Sequence, residues 1–212
     1  MNMNNRTVSV VMTALMTAVI TVSIMFLKIP IPLTQGYVHL GDAMIFMAVL
    51  ILGWKNGAIA AAVGGALGDI LGGFPVWAPW TFAIKGIMAV ILGLMIGQAL
   101  KRKWIMLGKV PLGALVGMIL SGVFMTGGYF FAEGVMYHSW AAAALGIPWN
   151  VGQFLVGLLI AWALTTALLK TPAKKFFAYK FNSSRCIPVF RSTLSMGQFF
   201  IFSFKQTSLP QS

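Results

Sequence analysis

The sequence predicts an all-α integral membrane protein, a bundle of six transmembrane helices with both termini on the cytoplasmic side and a pocket facing outward. Three observations carry that prediction. Of 212 residues, 59% are hydrophobic and 8% charged, with three acids in all, too few polar side chains to cover a water-soluble globule. The apolar residues fall in runs near the ~20 residues that a bilayer core needs. Basic residues gather at one set of ends: Arg6, Lys55, Lys101, Arg102, Lys103, Lys109, Lys170, Lys174, Lys175 and Lys180, against Lys28 alone in the opposite loops. That asymmetry places the termini inside. The net charge of +12 is then a matter of topology, since no periodic basic face suits nucleic acid. A single cysteine, Cys186, excludes an intrachain disulfide, and no Cys/His spacing suggests zinc or redox chemistry.

The first helix runs from about Thr7 to Leu27, without an A-x-A-like cleavage point, and reads as retained rather than as a signal peptide. Pro30 and Pro32 end it and start an extended loop reaching to His39 and Gly41. The second helix, about Ala43 to Trp54, is short for a span and leads into a turn at Lys55-Asn56-Gly57. The third covers Ala58 to about Leu71, ended by Gly72-Gly73-Phe74-Pro75; the fourth runs from Pro79 to Leu100. A fifth from about Pro111 to Ala132 and a sixth from about Pro148 to Leu169 complete the set. Residues 1–180 form the membrane domain. Residues 181–212 read as a peripheral or disordered tail, whose apolar run Phe199 to Phe204 is too short to span.

The stretch 41–86 organises the rest. Ala60, Gly64, Gly68 and Gly72 recur every fourth residue, a seam on one helix face where a neighbouring backbone can approach closely. Asp42 opens a helix, where a carboxylate meets free N–H groups and the positive dipole end, and Asp69 lies within the glycine-rich run; both are read as structural. Lys85 sits at a depth that costs roughly 2.5–3.5 kcal/mol on insertion scales. It therefore faces an ion-pair partner, Asp69 or Asp42, or a ligand. Ala14 and Ala18 form a small-xxx-small pair on the first helix, suited to close helix contact.

No G-x-S-x-G, H-E-x-x-H or Walker A loop is present, so an enzyme is not indicated, and active transport would draw its energy from another protein or an ion gradient. The two histidines and three acids lack metal-ligand spacing. The chemistry gathers instead on the outer face. Trp80, Lys85, Glu133, His138, Trp140, Asn150 and Gln153 offer stacking surfaces, a cation, a carboxylate and amides. Asn150 and Gln153, three apart, share a helix face and could read a planar heterocycle. The tryptophans are equally suited to an interfacial belt.

At Gly41-Asp42-Ala43, Gly53, Gly57, Gly68-Asp69 and Pro79-x-Thr81-x-x-x-Lys85-Gly86 the sequence resembles the substrate-binding S components of energy-coupling factor (ECF) vitamin transporters, riboflavin-type branch, over roughly residues 8–170. The resemblance implies a six-helix protein of the plasma membrane, bacterial in origin. It would capture a vitamin outside and dock on a transmembrane T component bearing two cytoplasmic ATPases. ATP and Mg2+ would bind those partners, with no cofactor in this chain. It assigns docking to the alanine face of the first helix, matched by Ala14 and Ala18. It also puts the first loop, His39 included, and the outer ends of the later helices, with Lys85, Glu133, His138, Asn150 and Gln153, near substrate. Glu133 with the two amides and a stacking tryptophan suits an aminopyrimidine such as hydroxymethylpyrimidine, whereas Lys85 as a direct ligand suits an anion such as pantothenate. Pyridoxine and riboflavin remain alternatives. A stand-alone permease would need an internal repeat that the sequence does not show, and a membrane scaffold is the third reading.

Overall fold

The computed structural model describes residues 5–26, 28–30, 37–102, 106–107, 110–172 and 176–179. Helix α1 (Asn5–Phe26) leads through strands β1 (Lys28–Pro30) and β2 (Tyr37–His39) into α2 (Gly41–Leu71). A 3-10 turn (Pro75–Trp77) opens α3 (Ala78–Lys101); β3 (Met106–Leu107) and β4 (Val110–Pro111) precede α4 (Leu112–Tyr137), the short α5 (Trp140–Ala144) and α6 (Ile147–Leu168). Among the described residues, five helical stretches are long and apolar enough to cross a membrane, 6–26, 41–71, 75–101, 112–137 and 140–168, as expected of a multi-pass membrane protein. The predicted tail at 181–212 lies outside the described residues.

Helix α2 folds back on itself. Gly53 has φ 80° and ψ 174°, a conformation that L side chains rarely adopt and glycine tolerates. Gly41 and Gly68 both press against Ile24 of α1, although 27 residues of straight helix would hold them about 40 Å apart. Gly57 meets Val49 in the same way, so the two halves lie side by side. The sequence reading placed this reversal at Lys55-Asn56-Gly57; those residues instead form the first turn after the break, where Asn56 Nδ2 donates to Ser9 Oγ at 2.7 Å. The carbonyls that end the first half would be unpartnered at the break. The Ala178 N–H answers both Leu50 O (3.2 Å) and Ile51 O (3.0 Å), which stitches the segment after α6 to the reversal.

The glycine seam receives α1. A Cβ at Gly64 would lie 2.9 Å from Thr17 O and one at Gly68 2.8 Å from Ile24, so the helices touch backbone to side chain. Thr21 exploits the approach, donating to Gly64 O at 3.1 Å as well as to its own Thr17 O. Gly72 is filled by Lys28, whose Nζ donates to Gly72 O at 2.9 Å, a cation at a helix C-terminus where the dipole favours it. On the far side, Gly117 packs on Leu92 and Ser121 Oγ donates to Met88 O at 2.9 Å, joining α4 to α3. Gly122 leaves the space that the Phe154 ring occupies, joining α4 to α6.

Two elements depart from the sequence reading. Helix α4 continues past the expected end at Ala132 to Tyr137, so Glu133 stands inside a helix at 2% exposure rather than in an outer loop. The sixth segment is preceded by α5, whose Ser139 Oγ caps it by accepting the Ala142 N–H at 3.3 Å.

Candidate functional site

At the end of the bundle bridged by the β1–β2 hairpin, four helices and one strand turn polar groups on to a shared cavity. Its wall is set by helical spacing. Thr81 follows Trp77 by four residues at the start of α3, Glu133 follows Tyr129 by four on α4, and Gln153 follows Asn150 by three on α6, so each pair shares a face. All six line the cavity, with Asp69 from α2 and Tyr37 and His39 from β2 as its cover. The free space admits water centres over about 20 Å3, room for little more than one water.

Beneath the cavity lies a buried polar network. Lys85 Nζ donates to Asp42 Oδ1 at 2.5 Å with both side chains at 0% exposure. Lys85 also approaches Met125 Sδ at 3.0 Å and sits 5.3 Å from the Tyr129 ring centroid. Gln153 Nε2 donates to Asp42 Oδ2 (2.8 Å) while its Oε1 accepts the His39 N–H (2.9 Å). The amide is thus fixed in orientation and links the ion pair to the hairpin. The same strand is held at its other end too: Tyr37 Oη donates to Asp69 Oδ1 at 2.5 Å, and its ring packs on Phe74 at 4.6 Å between centroids. Burial, followed by the Asp69 charge, pushes the Tyr37 hydroxyl pKa up, so this group remains a donor.

His39 accepts the Gly41 N–H on Nδ1 at 3.0 Å, which requires an unprotonated Nδ1. Burial first, then the Lys85 charge, pushes its pKa from 6.5 down to about 3. A histidine with a lowered folded-state pKa binds protons only when unfolded, so stability is full above about pH 6.5 and is lost as pH falls toward 3. The expected slope is at most about 1.4 kcal/mol per pH unit. Thermal unfolding of purified protein between pH 7 and pH 4 should show that fall, and His39→Gln should flatten it; an equal slope in the variant would remove His39 as the cause.

Of the residues proposed from sequence as ligand contacts, the cavity gathers His39, Glu133, Asn150 and Gln153. Lys85 does not reach it as a free cation, being paired with Asp42. Trp80 lies against Phe131 and the half-exposed Trp140 against Phe130 and Phe131, as in an interfacial aromatic belt. His138 is exposed with φ 51° at the turn between α4 and α5. Tyr37, Trp77, Thr81 and Tyr129 line the cavity without having been singled out as contacts, and Asp69, read as structural, lines it as well. Among the described residues no three His, Cys, Asp or Glu side chains converge on a metal position.

A multi-pass helical membrane protein with a polar, aromatic-walled chamber under a hairpin cover is the class that fold and site define. Comparison narrows it. The family model of the ECF-type riboflavin transporter, S component, matches residues 4–170, and the chain belongs to that family, a transporter component rather than an enzyme. It is 37% identical over 152 residues to a protein described as "uncharacterized protein in gap 3'region" from Pyrococcus woesei, covering 71% of this chain and 95% of that protein. It is 29% identical over 143 residues to the thiamine precursor transporter HmpT of Lactococcus lactis subsp. cremoris (strain MG1363), covering 67% and 76%. A solved S component of a bacterial ECF transporter shares the fold, with a TM-score of 0.62 at 18% identity over 78% of this chain and 98% of that one.

Proposed function

We propose that this chain is the substrate-specific capture subunit of an ATP-driven vitamin transporter, binding a small vitamin or precursor, hydroxymethylpyrimidine first among them, at the outer face. The observation that carries the reading is the lining of the cavity: the Trp77 indole and the Tyr129 ring offer stacking walls, and Glu133, Asn150 and Gln153 offer hydrogen bonds to a ring edge, so in this reading a ligand larger than the water-sized space displaces the cover at Tyr37 and His39 as it enters. The name of the Lactococcus relative points to the same substrate class. Counting the halves of α2 separately gives six spans, and with the basic ends inside the cavity faces outward. In this reading the chain sits in the plasma membrane and docks through the Ala14 and Ala18 face on a T component with two cytoplasmic ATPases, which hold ATP and Mg2+.

Titration of the purified chain in detergent with hydroxymethylpyrimidine, pyridoxine, pantothenate, riboflavin, thiamine and folate, followed by tryptophan fluorescence, tests it. Trp77 borders the cavity, so a stacked ring should quench. A tight response to one compound is the expected result; silence across the panel from folded protein would overturn capture.

A further inference from the structure

Two carboxylate oxygens in the described structure are buried without a hydrogen-bond partner, Asp69 Oδ2 and Glu133 Oε2, and both residues line the one cavity. Asp69 is 3% and Glu133 2% exposed. The Thr81 hydroxyl also neighbours the Asp69 carboxylate and stands 3.1 Å from Tyr129 Oη, to which it can donate or from which it can accept. A buried acceptor left unanswered is destabilising, and native structures retain few of them without a functional reason. The surroundings hold both groups in place. Tyr37 occupies Asp69 Oδ1 and leaves Oδ2 over. Gly146, at the junction of α5 and α6, brings backbone so close to Glu133 that a Cβ there would collide with both carboxylate oxygens. Among the described residues, no Lys or Arg side chain lines the cavity: Lys85 is paired with Asp42, and Lys28 donates to Gly72 O.

We infer that Asp69 and Glu133 act together as the recognition pair of the cavity, each accepting one hydrogen bond from a ligand that presents two N–H or O–H donors and no anionic group. The inference rests on the capture reading and deepens it, since it names the substrate class and makes Asp69 a specificity-determining residue. Anionic vitamins such as pantothenate would set a carboxylate against two unanswered acceptors in a cavity that no described Lys or Arg side chain lines, so they are disfavoured. Because the Tyr37 hydroxyl shares the Asp69 carboxylate, a donor on Oδ2 also fixes the group that the hairpin cover holds.

The test uses the full chain in detergent and reads affinity by calorimetry. The probes are hydroxymethylpyrimidine, its analogue without the ring amine, its analogue without the hydroxyl, its analogue carrying a carboxylate in place of the hydroxymethyl, and pantothenate. Each donor deletion is expected to weaken binding about 10-fold or more, and the two anions are expected not to bind. Asp69→Asn and Glu133→Gln should each weaken the parent compound, and each variant should become indifferent to one of the two deletions. Deletion analogues that bind the native chain like the parent would overturn the inference even if a variant fails to fold. So would a variant that weakens every analogue by one common factor, which marks a structural role. Tight binding of pantothenate alone would overturn the carboxylate pair and leave capture standing, whereas silence toward every compound would overturn capture itself and the pair with it.

Discussion

Lys85→Met alone is expected to destabilise the chain by about 3–5 kcal/mol, and Asp42→Asn alone by a similar amount, because either change strands one charge of a fully buried pair. Asp42→Asn together with Lys85→Met should recover most of that loss. In the double variant no charge is left buried, and the asparagine Oδ1 can still accept the Gln153 Nε2 hydrogen bond that Asp42 Oδ2 takes in the native chain. The two singles are therefore expected to be strongly non-additive. Thermal unfolding midpoints of the four proteins in one detergent give the cycle, and a double variant as unstable as the sum of the singles would refute the pair as the source. The functional consequence follows through Gln153. Where a stranded charge displaces the residue at position 42, as in either single variant, the amide loses one of the two bonds that set its orientation, and the His39 N–H that it receives at 2.9 Å is held less firmly. Ligand affinity should fall in the singles more than in the double, since the hairpin cover depends on that amide rather than on the charges.

The same residues show what sequence can and cannot supply. A lysine and three acids in an apolar chain stand out by cost alone, so Lys85, Asp42 and Glu133 were visible from the start; whether Lys85 met an acid or a ligand depended on which helices adjoin, which no local pattern encodes. Asn150 and Gln153 were legible because their spacing puts two amides on one face. Trp77 and Thr81 could have been found in the same way, since they precede Lys85 by eight and four residues and share its face, and Tyr129 precedes Glu133 by four. Trp80 and Trp140 drew attention instead because tryptophan at a helix end fits a pocket and a bilayer interface equally well. The sequence predicts the break in α2 as a turn, yet the lysine, asparagine and glycine at positions 55–57 make a stronger turn signal than Gly53, which sits between Leu52 and Trp54 and betrays itself only through its positive φ. Asp69 reads as structural because nothing in the sequence shows that Tyr37 engages just one of its two oxygens.

Ala14→Trp combined with Ala18→Trp is expected to leave ligand affinity unchanged and to reduce uptake by the assembled transporter to background. Helix α1 is two-sided. Met16, Ile20, Thr21 and Ile24 are buried against α2, whereas Ala14 and Ala18 are exposed. Ala14 also borders a surface groove shared with Ser9, Asn56 and Val63. That groove adjoins the reversal at Gly53, while the cavity lies by His39 and Asp69 at the opposite ends of both α2 halves, so bulk added there does not reach the ligand. Small residues let a partner helix approach closely in lipid, where packing rather than hydrophobicity drives association, and two indoles would hold that partner away. Binding to detergent-purified protein and uptake by cells supplied with the T component and ATPases separate the two effects. Equal loss of both would show that the alanine face supports the fold of α1 itself, and retention of both would show that the partner docks elsewhere.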